Sequence, residues 1–114
     1  MPDATTEFFS ALEARRHEPL LEKERGTLRF DLVNGSRVAA RWHVAIEKGD
    51  ITVSRRNAKA DCVVRAGKDV FDGIAKGEVN AFTAVLRGAV SIDGEPELLV
   101  FFQRLFPARS GTSS

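Results

Sequence analysis

The chain has 114 residues, 43% of them hydrophobic and 29% charged, with 17 basic residues against 16 acidic ones and a formal net charge of +1. This size fits one domain with its own core, and the composition argues against disorder. The near-neutral balance gives no basic footprint for nucleic acid, and the single cysteine allows no internal disulfide, so a reducing, cytoplasmic setting is expected.

The N-terminal MPDATTEFF lacks both a positive n-region and a long apolar run, so it does not read as a signal peptide. Residues 1–5 and 108–114 are expected as frayed ends of a single domain spanning 1–114. Thr5 and Thr6 are candidate N-caps for a helix that turns Phe8, Phe9 and Leu12 inward. Pro19 either interrupts that helix or opens a second short one, PLLEKER, closed by Gly26.

From Thr27 the period becomes two. TLRFDLV sets Leu28, Phe30 and Leu32 against Arg29 and Asp31, and Asn34-Gly35 is a strong hairpin signal. RVAARWHVAIE turns Val38, Ala40, Trp42, Val44 and Ile46 in and keeps Arg37, Arg41, His43 and Glu47 out. After the Lys48-Gly49-Asp50 turn, ITVSR offers Ile51 and Val53. A turn around Asn57 then leads to ADCVVRA, with Cys62 and Val64 inward.

KDVFDGIAKG returns to helical spacing, with Val70, Phe71 and Ile74 on one side and Gly77 past the end. Asn80 caps the next helix, where Phe82, Val85 and Leu86 cluster before Gly88. AVSID is a fifth strand with Val90 and Ile92 on one face, and Pro96 among acidic residues opens a last helix. Consecutive strands followed by helices mean an α+β fold with helices over one sheet face.

The catalytic inventory is thin. His17 and His43 stand apart and lie among charged residues, with no metal-ligand spacing, so no metal or cofactor is expected. Cys62 reads as a small buried hydrophobe, and no serine sits in a nucleophile elbow. No glycine pattern cradles phosphate. Arg55, Arg56 and Lys59 make a basic knot in a turn, either solvated or facing an anionic head group.

What remains is apolar surplus. On a helical wheel Leu98, Leu99, Phe101, Phe102, Leu105 and Phe106 spread over about 160°, whereas a helix covering a sheet needs roughly 100°. The excess either fills the core, meets a partner, or lines a cavity for an apolar ligand. Periodicity alone favours core filling.

The stretches KDVFDGIAKG, GEVN, AFTAVLRG, AVSIDG and EPELLVFFQRLF, in that order after TLRFDLVNG, RVAARWHVAIEKG and ADCVVRAG, resemble the sterol carrier protein 2 domain family in its small stand-alone form. The resemblance runs from about Phe8 to Phe106; it departs at Ala81, where the family carries proline. It implies a mixed five-stranded sheet covered on one face by helices, with an apolar tunnel for fatty acids, fatty acyl-CoA or sterol-like lipids. On that implication Trp42, Phe71, Ile74, Phe82, Val85 and Leu86 line the tunnel, with Leu98, Phe101, Phe102 and Leu105 of the final helix as a lid. The protein is then a non-enzymatic lipid carrier with transient membrane contact at most. The alternative is an interaction module that docks a partner or homodimerises through Leu99 and Phe106.

Overall fold

The computed structural model describes residues 3–95, 97, 98 and 100. The chain runs α1 (Ala4–Arg15), a 3-10 turn (Pro19–Leu21), β1 (Arg25–Asn34), β2 (Arg37–Glu47), β3 (Asp50–Ser54), β4 (Cys62–Gly67), α2 (Lys68–Ala75), α3 (Ala81–Leu86) and β5 (Val90–Gly94). One mixed sheet holds all five strands in the order β3-β2-β1-β4-β5, with β1 and β4 parallel and every other neighbour antiparallel. The α+β fold and the five-stranded sheet agree with expectation.

Alternation makes the sheet one-sided. Leu28, Phe30, Leu32, Trp42, Val44, Ile46, Ile51, Val53, Cys62, Val64 and Val90 are buried on one face. Phe9 and Leu12 from α1, Phe71 and Ile74 from α2, Ala84 from α3 and Leu98 join them in one core. The opposite face is polar. There Asp31 is buried by two arginines of its own face: Arg29 Nη2 and Arg41 Nε donate to its two oxygens at 2.9 and 3.0 Å. Burial would raise the Asp31 pKa, but these two guanidiniums outweigh it and hold the carboxyl below its ordinary value.

The register explains a short crossing. Ser54 pairs with His43, His43 with Arg29, and Arg29 with Val63, so β3 ends level with the start of β4. Residues 55–61 therefore need only cross about 14 Å of sheet, well within a seven-residue reach of roughly 23 Å. They run over the polar face, where Arg29 Nη1 donates to the Ala58 carbonyl at 3.3 Å and the His43 ring meets the Lys59 carbonyl at 3.3 Å.

Four expectations are corrected. The cap of α1 is Asp3, whose carboxylate accepts from the Thr6 amide at 2.8 Å, so Ala4 and Thr5 are helical instead of frayed. Thr5 is fully buried because its hydroxyl donates to Asp72 Oδ1 at 2.6 Å. Pro19 opens only a three-residue turn, and Gly26 lies inside β1 at φ +155° instead of closing a helix. The hairpin loop is Gly35-Ser36, one residue later than Asn34-Gly35, with positive φ only at Gly35 as a type II′ turn requires. Val38 is exposed, since the register slips between Leu32 and Val33 and the hairpin tip overhangs the core. The expected frayed end at 108–114 lies outside the described residues.

Candidate functional site

Among the described residues the large buried apolar side chains of the sheet lie on its helix-covered face, and the centre of that face is aromatic. Phe9 of α1 stacks on Trp42 with ring centres 4.7 Å apart and planes 14° apart. The same Phe9 lies parallel to Phe71 of α2 at 5.7 Å, while Phe30 meets Phe9 at 5.2 Å and Phe71 at 5.5 Å in tilted geometries. Such offset and edge contacts add to the area these rings bury. Helix α2 is held against α1 by charge: Lys68 Nζ lies 2.6 Å from Asp3 and 2.9 Å from Asp72. Burial disfavours the ammonium, yet the hydrogen bonds to Asp3 and Asp72 win and raise the Lys68 pKa.

The structure brings four of the expected lining residues together. Trp42, Phe71, Ile74 and Leu98 are all buried in the one core. Val85 packs against it half-buried. Phe82 and Leu86 differ: they are 47% and 82% exposed, because α3 turns Ala84 inward instead. Phe101, Phe102 and Leu105, together with Leu99 and Phe106, lie outside the described residues. The expected tunnel is not among the features described.

Two open grooves are. One, of about 790 Å³, lies between α1 and the edge strand β3 and is lined by Ser10, Glu13, Ala14, Arg16 and Asp50 to Val53. The other, of about 460 Å³, lies between the hairpin tip and the start of α2.

No group of acid, histidine and cysteine side chains that could hold a metal occurs among the described residues. Cys62 is fully buried; burial first, then Glu95, Asp61 and Asp93, push its thiol up to about 11, far from a reactive thiolate. His17 Nδ1 lies 2.8 Å from Asp50, tying the end of α1 to the edge strand, and that hydrogen bond raises its pKa. His43 is spent on a backbone carbonyl. No helix among the described residues is long and apolar enough to cross a membrane.

Sequence reasoning set Arg55 in a basic turn knot and missed its contact with Trp42. Arg55 follows Val53 by two residues, and the strand alternation therefore carries it to the apolar side instead of leaving it in a turn. Its guanidinium carbon sits 4.2 Å from the centre of the Trp42 ring, a cation–π contact.

The chain matches the SCP-2 sterol transfer family over residues 9–107. Among solved structures it is similar to a sterol carrier protein 2 from Aedes aegypti in complex with a C16 fatty acid, palmitate: TM-score 0.71, 19% identity, 94% of this chain and 100% of that one. The palmitated SCP2L2 of the same organism aligns with TM-score 0.69 at 17% identity, covering 90% of this chain and 95% of that one. It is also similar to the stereoselective inverting sec-alkylsulfatase Pisa1 from Pseudomonas sp., with TM-score 0.69, 25% identity and 90% of this chain covered; the match spans only 16% of that enzyme. No curated protein matches.

Proposed function

The chain belongs to the SCP-2 sterol transfer family, and from that premise we propose that it binds and transfers apolar lipids without catalysing a reaction on them. The ligands are long-chain fatty acids, fatty acyl-CoA or sterol-like molecules, held between the apolar sheet face and the helices. The observation that carries this reading is the family match across residues 9–107, joined to a sheet whose fully buried apolar residues lie on the helix-covered face. Phe71, Ile74, Val85, Leu98 and Trp42 then form the wall, and Phe82 and Leu86, exposed on α3, form its mouth. Phe101, Phe102 and Leu105, which lie outside the described residues, are proposed as further ligand contacts on the family resemblance alone.

The energetics need no reactive group. Each methylene moved from water to an apolar site gains about 0.8 kcal/mol, so an acyl chain supplies ample driving force before ordering costs are subtracted. Specificity for the chain itself is correspondingly loose. The reading places the protein in a reducing, cytoplasmic setting, where Cys62 stays a thiol.

A delipidated, folded sample should bind a fluorescent fatty acid at low-micromolar concentration and release it to competing lipids. Phe101→Ala with Phe102→Ala should weaken binding far more than stability. Native mass spectrometry of fresh material should find a co-purified lipid. A folded protein that takes up no long-chain lipid would end this reading.

A second reading is favoured by one observation: the domain occurs as 16% of a larger alkylsulfatase. On it the chain is an accessory module that docks a partner or pairs with itself through Leu99 and Phe106. Light scattering separates the two. A lipid-loaded monomer supports the carrier, and a dimer dispersed by Phe106→Glu supports the module.

A further inference from the structure

We infer that the Trp42 indole N–H and the Arg55 guanidinium form the head-group end of the lipid site, and that they select a fatty carboxylate over a neutral lipid of equal length. The inference rests on the reading of the protein as a lipid binder and adds the chemistry of the ligand's polar end.

Trp42 is 7% exposed, and its Nε1 is enclosed with no hydrogen-bond acceptor among the described residues. Buried donors are almost always paired, and an indole orphaned this way forfeits its full desolvation. Phenylalanine would keep the stacking on Phe9 without that loss. The donor therefore points to an acceptor that none of the described residues supplies.

The second observation is the cation beside it. Arg55 is exposed, and its guanidinium carbon lies 4.2 Å from the centre of the Trp42 ring that carries this N–H. Its Nε donates to the Arg41 carbonyl at 3.1 Å, and both terminal nitrogens are without an acceptor among the described residues. A neutral donor and a cation carried on the same ring suit an anion with two acceptor oxygens, since charge-assisted hydrogen bonds are the stronger kind. A sterol hydroxyl could accept from the indole but would gain little from the guanidinium.

The charge around the pair has a direction. The α1–β3 groove reaches Val53, two residues from Arg55, while its acids, Glu13 and Asp50, lie toward the end where the Arg16 carbonyl accepts from the Ile51 amide. Arg16 and His17 offset those acids at the far end, whereas Arg55 stands at the Val53 end without a carboxylate from the groove lining beside it. The exposed Arg55 side chain is the part that must move to admit the ligand's carboxylate.

The chain has one tryptophan, so a ¹⁵N-labelled, delipidated sample gives one indole N–H resonance. It is titrated with palmitate, methyl palmitate and hexadecanol. Palmitate should move that resonance downfield and bind about tenfold tighter than the ester or the alcohol. Arg55→Gln should abolish the ratio, and Trp42→Phe should weaken palmitate about tenfold and the ester by less, since the ester carbonyl accepts from the indole without a charge. Should Trp42→Phe fail to fold, the exposed Arg55→Gln decides alone. Equal binding of acid and ester with an unmoved indole resonance overturns the anchor and leaves lipid binding standing. A folded protein that binds none of the three overturns both.

Discussion

A methyl group placed on Gly26 would lie 2.7 Å from Cδ2 of Leu98. The start of β1 and the last described helical residues thus meet with no room for a side chain between them, and Gly26 holds φ +155°, which side chains rarely adopt. Gly26→Ala should cost about 1–3 kcal/mol through overpacking and strain, read by urea denaturation. Adding Leu98→Ala should recover part of that loss in a double-mutant cycle, because the two changes relieve one clash.

Asp31 is the acid on which two arginines depend, and its side chain is only 6% exposed. Asp31→Asn should lower stability at neutral pH by about 3 kcal/mol, the cost of breaking one partner out of a buried ion pair. The sign follows from its lowered pKa. A carboxyl depressed in the folded state stabilises above its unfolded value and loses that contribution as pH falls through the folded value. Wild type and variant should therefore converge only in acid below the ordinary aspartate range.

Cys62 should resist alkylation in the native protein. Its thiol is pushed up to about 11 and has no exposed surface, so iodoacetamide at neutral pH should label it only at the rate of unfolding. Rapid labelling of the folded chain would contradict the burial.

His17 should titrate above the ordinary histidine value of about 6.5. Its charged form is favoured by Asp50 and Glu22, so its contribution is complete below that value and fades as pH rises through the folded pKa. His17→Gln should matter in mild acid and disappear in alkaline buffer. An NMR titration of the ring protons gives the midpoint directly.

Local chemistry was the legible part of the sequence. The alternation of β2 put Trp42, Val44 and Ile46 inward, and Asn80, Gly77 and Gly88 took the capping positions their residue types favour. Asn80 caps α3 through a 3.0 Å bond to the Thr83 amide. What sequence concealed depends on distant partners. Thr5 is buried by Asp72, Gly26 is set in a strand by Leu98, and neither partner is near in the chain. The inward face of α3 was misread because hydrophobicity points to Phe82 and Leu86, whereas close approach favours the small Ala84. In the candidate site, Trp42 was legible as an inward residue. Its unpaired nitrogen, and the arginine above it, emerge only once β3 and β2 are in register.

The parallel pairing of β1 with β4 separates the order in which the sheet can assemble. The meander of β1, β2 and β3 closes through two short turns and loses little chain entropy, whereas Leu28 meets Cys62 only after the crossing segment has been laid over it. The rate-limiting nucleus should therefore lie in the meander, with β4 and β5 consolidating late. In stopped-flow experiments Val44→Ala should slow refolding, while Val90→Ala should chiefly accelerate unfolding.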